Sequence, residues 1–149
     1  MKEFITGYML SEGMIKSIDD IIALKIDGCE IEAEINLKEY YNNQTNLKPL
    51  ESNLTITKDE ILAKMEELRE KALKWEATGG AHVAGIVCGD EFIVKEDVSR
   101  HVAVDKVIGA GAYEGFDFSK SYIIFSGRMP ADMVIKLVNV GIPILISNA

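Results

Sequence analysis

Three short polar motifs follow one another from Thr78 toward the C-terminus, and each holds residue types that bind anions or handle protons. The first is Thr78-Gly79-Gly80-Ala81-His82. Adjacent glycines let a ligand approach the backbone and leave N–H groups open to it, and a histidine can both give and take a proton. The second begins at Glu96, Asp97, Arg100 and His101 and ends at Asp105 and Lys106. The third is Ser126-Gly127-Arg128, with Lys136 in the segment that follows. A strand handing over to a helix there would offer backbone N–H groups, a hydroxyl and a guanidinium to an anion. Each motif sits beside apolar runs, and open α/β sheets hold their ligands at such strand ends. Taken singly, each also has an ordinary reading: a turn, a core histidine bonded to a carbonyl, or a capping serine beside a surface arginine.

The second motif is the most constrained. Asp97, Arg100, His101 and Asp105 are spaced so that they share one side of a helix expected to begin at Asp97. Val98, Val102, Val104, Val107 and Ile108 surround them, so the helix should be largely buried. Ionisable groups on a buried helix are costly unless they meet each other or a ligand. Two arrangements satisfy them: an internal network in which Asp97 caps the helix and pairs with Arg100, or an anion site at the helix N-terminus.

Other elements must position these motifs. A first helix is expected over Lys2 to Glu12, stopped by Gly13, then two strands, Ile21 to Ile26 and Cys29 to Ile35, around the Asp27-Gly28 turn. The Asn-rich stretch Asn42 to Asn53, with Pro49, is expected to be a loop. Thr57 and Glu60 form a capping box for a helix whose buried stripe is Ile61, Met65, Leu68 and Ala72. Glu60–Lys64, Glu67–Lys71 and Glu70–Lys74 are its favourable pairs. A hairpin of Val83–Val87 with Glu91–Lys95, a strand Tyr122–Phe125, a helix opened by Pro130 and stopped by Gly141, and a strand Ile142–Ile146 complete the order. Strands alternating with helices predict an α/β fold whose sheet is covered on both faces. The division expected is residues 1–54 as a helix-and-hairpin part and 55–149 as the core. Met1 opens directly into an amphipathic helix and Ala149 follows a core strand, so flanking elements of longer relatives are expected to be absent.

Bulk properties narrow the function. A chain of 149 residues suffices for one cored domain. The net charge of −8 argues against general nucleic-acid binding, although Arg100, Lys106, Arg128 and Lys136 leave room for a local phosphate site. No membrane-spanning run or secretory signal is read, so a cytoplasmic protein is expected. Cys29 and Cys88 make neither a disulfide framework nor a zinc site.

Together, the motifs TGGAH, EDVSRHVAVDKVIG and SGRMP, with Gly7 to Ile15 earlier in the chain, resemble the FdhD/NarQ family of formate dehydrogenase accessory proteins. The resemblance implies a cytidine-deaminase-like three-layer α/β/α sandwich with a small N-terminal α+β part. It implies a homodimer that binds the molybdenum or tungsten bis-guanine-dinucleotide cofactor and takes sulfur to it from a cysteine desulfurase, on behalf of formate dehydrogenase. The cofactor-binding positions implied are Thr78, Gly79, Gly80, His82, Glu96, Asp97, Arg100, His101, Asp105, Lys106, Ser126, Gly127, Arg128 and Lys136. Zinc deaminases place H-x-E and P-C-x-x-C at the corresponding helix starts, and this chain has neither, so neither zinc nor deamination is expected. The family's Cys-x-x-Cys loop has no counterpart in Asn42 to Leu47, which argues against thiol-based sulfur transfer by this chain; Cys88 is the substitute carrier to consider. The rival readings are a non-catalytic binding or scaffold module and an inactive, truncated paralogue.

Overall fold

The computed structural model describes residues 1–36 and 47–148. In chain order the elements are α1 (Lys2–Ser11), β1 (Ile21–Asp27), β2 (Glu30–Ile35), α2 (Lys58–Glu70), α3 (Leu73–Thr78), β3 (His82–Cys88), β4 (Glu91–Asp97), α4 (Arg100–Tyr113), β5 (Ser121–Ser126), α5 (Ala131–Val140) and β6 (Ile144–Asn148). The first part of the expected Asn42–Asn53 loop lies outside the described residues, and Leu47–Asn53 carries no helix or strand.

β1 and β2 pair antiparallel as a two-stranded sheet, turned by Gly28 at φ +59°. The main sheet has the order β4-β3-β5-β6; β3 runs antiparallel to both its neighbours, and β5 and β6 are parallel. Side chains alternate across a strand, and this sheet is apolar on both faces. Ala84, Ile86, Ile123 and Phe125 pack into one cluster with residues of α1, α4 and α5. Val83, Val87, Tyr122 and Ile124 pack into a second with Leu68 and Ala72. The result is three layers: helices, a mixed sheet, and the α2 side. Met9, Leu10 and Ile15, from the first part of the chain, share the first cluster. Among the described residues no helix is long and apolar enough to cross a membrane.

α1 crosses α4 with backbone against backbone. A Cβ on Gly7 would lie 1.7 Å from the carbonyl oxygen of Asp105, and one on Gly109 would lie 1.9 Å from that of Glu3. Only glycine at both positions permits this approach.

Several boundaries differ from expectation for traceable reasons. α4 starts at Arg100, not Asp97, because Asp97 still pairs with His82 in the β3–β4 ladder. The long helix breaks at Ala72 into α2 and α3, so the Glu70–Lys74 pair is not made. The capping box is half formed: Thr57 Oγ1 accepts from the Glu60 N–H, but the Glu60 carboxylate turns to accept from Tyr122 Oη at 3.0 Å. Lys64 pairs with Glu67 at 2.8 Å, not with Glu60. The last strand starts at Ile144, because the Ile142 N–H is spent on Leu137 in closing α5 behind Gly141.

Candidate functional site

Strand directions bring the start of β3 and the ends of β4, β5 and β6 to one rim of the sheet. A cleft of about 540 Å³ opens there, lined by Leu68, Arg69, Ala72 and Trp75 on one side and by 79–83, Ser126 and Gly127 on the other. That size is in the usual range for a small-molecule site.

Three residues build its inner wall. His82 Nδ1 lies 2.9 Å from the Ser126 carbonyl oxygen. A carbonyl only accepts, so Nδ1 carries a proton, and in the neutral ring Nε2 then keeps its lone pair. The Val83 N–H donates to Ser126 Oγ at 3.0 Å, so the serine ties β3 to β5 at the rim. Gly127 follows at φ +132°, and the Ser147 hydroxyl donates to its carbonyl. A Cβ on Gly127 would come within 3.3 Å of His82 Nδ1 and 3.4 Å of Arg100 Cδ. Arg100, the first residue of α4, therefore lies directly behind this glycine. Its Nε is buried and has no hydrogen-bond partner. A buried donor left unmade is costly, although Arg100 itself does not line the cleft.

The other members of the helix motif divide among three tasks. Glu96 is spent on α3: its carboxylate accepts the Lys74 N–H at 3.0 Å and the Trp75 N–H at 2.7 Å. Asp97 accepts the Ser99 N–H at 3.0 Å and meets Lys106 Nζ at 2.6 Å; Lys106 also donates to the Glu96 carbonyl. Burial pushes the Asp97 carboxyl up, but Lys106 and the backbone N–H groups outweigh it and hold it below its ordinary value. The Asp97–Arg100 pair considered from sequence is not made; Lys106 takes that place.

His101 and Asp105 do share one side of α4, as the spacing required, but that side faces α5. His101 Nε2 lies 3.1 Å from Asp132 Oδ2, without the alignment of a hydrogen bond. One turn along both helices, Lys136 Nζ meets Asp105 Oδ1 at 3.1 Å. Lys136 also donates to Ser11 Oγ at 3.0 Å and to Glu12 Oε1 at 2.7 Å, and Ser11 donates to Asp105 at 2.7 Å. Asp105 and Lys136 are thus buried between α1, α4 and α5, and neither lines the cleft. Burial raises the Asp105 carboxyl, and Lys136 and Ser11 only partly oppose it.

Of the remaining sequence candidates, Gly79 and Gly80 line the cleft, and Gly79 ends α3 at φ +62°. Thr78 Oγ1 donates to the Lys74 carbonyl and accepts from the Gly80 N–H, so it shapes that turn. Arg128 is exposed beside Gly127. Cys88 lies at the opposite end of β3 from His82, on a second hollow with Leu54, Lys120 and Tyr122, so proximity in sequence to Gly80 does not become proximity to the cleft. Cys29 is exposed in the β1–β2 turn. Arg69 and Trp75 line the cleft without having been singled out in the sequence; an unbroken helical stripe through Ala72 hides the bend that brings them there. Among the described residues no group of three or more His, Cys, Asp or Glu side chains is arranged to hold a metal ion.

Comparison with known proteins gives one consistent result. Residues 28–149 match the FdhD/NarQ family. The chain is 44% identical over 165 residues to the sulfur carrier protein FdhD of Methanothermobacter thermautotrophicus, covering all of this chain and 66% of that protein. It is 36% identical over 151 residues to the protein FdhD of Methanocaldococcus jannaschii, covering all of this chain and 63% of that one. A crystal structure from Desulfotalea psychrophila, described as that of a candidate formate dehydrogenase accessory protein, shares 27% identity at a TM-score of 0.81 over 98% of this chain and 63% of that one. The chain thus spans 63–66% of the length of these relatives. By the match across residues 28–149, the chain belongs to the FdhD/NarQ family.

Proposed function

We propose that this chain holds the molybdenum or tungsten bis-guanine-dinucleotide cofactor destined for formate dehydrogenase, taking one nucleotide arm in the cleft between Trp75 and His82. The observation that carries this reading is the cleft of about 540 Å³ at the strand-end rim, lined by Arg69, Trp75, Gly79, Gly80 and His82, with the unpartnered Arg100 Nε behind its Gly127 wall. The Arg100 Nε–H has no acceptor, and it belongs to the first residue of a helix whose N-cap, Ser99, makes no side-chain cap. Helix N-termini favour anions, and the charge of a phosphate would answer both demands. Arg69 on the opposite wall and Arg128 beyond Gly127 add positive charge in a chain that is acidic overall. Lys106, committed to Asp97, contributes little to that field.

In this reading the protein binds and orients the cofactor while sulfur is delivered to it. Relatives carry the name sulfur carrier protein. Neither cysteine of this chain lines the cleft, so the sulfur reaches a cofactor held there on a thiol other than Cys29 or Cys88, with a cysteine desulfurase as its source. A homodimer would offer one cleft to each guanine arm.

Calorimetric titration with GDP, standing in for one arm, tests the reading. Saturable binding is expected, weakened about 10- to 100-fold in Arg100→Ala, as for loss of a charged hydrogen bond. A folded sample that gives no heat would discard the nucleotide cleft and favour a scaffold that docks on its partners.

A further inference from the structure

Resting on that reading, we infer that Trp75 is the platform on which a flat heteroaromatic ring of the cargo stacks, and that Glu96 is the residue that positions it. Trp75 is the sole tryptophan of the chain. It lines the cleft with 45% of its surface exposed, and among the described residues no ring or cation packs on it. Leaving that much indole in water has a cost that a stacked ligand would remove.

The helix carrying it is held with unusual care for an exposed segment. α3 spans only Leu73–Thr78, too short to persist alone, and its N-cap Ala72 has no side chain with which to cap it. Glu96 supplies the cap from β4 instead, one carboxylate oxygen on the Lys74 N–H and the other on the Trp75 N–H. At the other end Thr78 and the left-handed Gly79 close the turn. Both ends are pinned, and the second N–H that Glu96 grips is that of Trp75 itself.

The facing wall defines the ring. His82, which lines the same cleft, spends its Nδ1 proton on Ser126, so in the neutral ring its Nε2 is an acceptor. A flat surface together with an acceptor suits a planar ring with N–H donors on its edge. The 2-amino-4-oxopyrimidine edge has them, and it is common to guanine and to the pterin.

Because Trp75 is the single tryptophan, its emission reports this contact alone. GDP and, separately, free pterin are titrated into wild type, Trp75→Phe, Trp75→Ala, Glu96→Gln and Glu96→Ala, followed by calorimetry and, where tryptophan remains, by fluorescence. Quenching with the calorimetric midpoint is expected for whichever ligand supplies the ring: GDP for the guanine arm, pterin for the other end. Trp75→Phe should bind within a few-fold of wild type and Trp75→Ala about 5- to 150-fold more weakly. Glu96→Ala should weaken binding and lower the emission anisotropy of Trp75, with Glu96→Gln in between. If Trp75→Ala binds as tightly as wild type, or wild type binds with no change in emission, the platform is overturned and the cleft stands. If folded wild type binds neither ligand, the cleft falls and the platform with it.

Discussion

Lys136 sets its ammonium 3.1 Å from one oxygen and 3.3 Å from the other oxygen of Asp105, a carboxylate only 2% exposed. The contact joins α5 to the middle of α4, and through Ser11 and Glu12 it reaches the end of α1. Removing one member of a buried pair leaves the other charge stranded, at a typical cost of about 3–5 kcal/mol. Lys136→Met is therefore expected to lose about that much in denaturant unfolding. Asp105→Asn should lose less, since it removes the ion whose burial is already unfavourable. A Lys136→Met variant as stable as the wild type would show that the charge pair is not what the region depends on.

The two aspartates of α4 and its approach should respond to acid in opposite senses. Asp105 is raised above its ordinary value of 3.8, so the folded state takes up its proton first, and its contribution to stability improves as pH falls through the folded value. Asp97 is lowered below 3.8; its contribution is present above 3.8 and is lost as pH falls through its folded value. Melting temperatures across acid pH should show Asp97→Asn flattening the decline below 3.8 and Asp105→Asn removing the gain above it. The reverse assignment of the two effects would contradict the contacts seen.

Gly127→Ala should impair ligand binding more than folding. The backbone there, at φ +132°, is strained for any other residue by about 1–3 kcal/mol. Its new methyl would also press on His82 and Arg100 at 3.3–3.4 Å, so both must shift. A modest fall in melting temperature with loss of the GDP heat is the expected pattern.

Gly7→Ala and Gly28→Ala separate two reasons for glycine. At Gly7 a methyl would lie 1.7 Å from a backbone oxygen of α4, which no side-chain rotation relieves, and about 3 kcal/mol or more is the expected loss. At Gly28 the space is open and only the left-handed φ of +59° is at issue, for about 1–2 kcal/mol. Chemical denaturation of the two variants gives the comparison directly.

What the sequence disclosed and what it hid follow from the range of each interaction. The Asp27-Gly28 turn, the Thr57 cap and the Gly141 stop act within a few residues, and all three are where local chemistry puts them. The spacing of His101 and Asp105 correctly gave one side of a helix, but not what that side faces; α5 answers it with Asp132 and Lys136. What Glu96 touches was hidden because its partners, Lys74 and Trp75, are 22 and 21 residues away. The same distance concealed Trp75 and Arg69. The apolar stripe through Leu68 and Ala72 is real on both sides of the break, so periodicity alone continues the helix straight past it.

The rim where His82 meets Ser126 also decides how much of the chain is needed to form the cleft. The two residues are 44 positions apart and belong to antiparallel strands, so their contact forms only after the whole segment carrying β4 and α4 has been folded back between them. Closing a loop of that length is a non-local event whose entropic cost grows only slowly with length. The inner wall of the cleft is therefore a non-local structure, which no piece of the chain shorter than residues 82–126 contains.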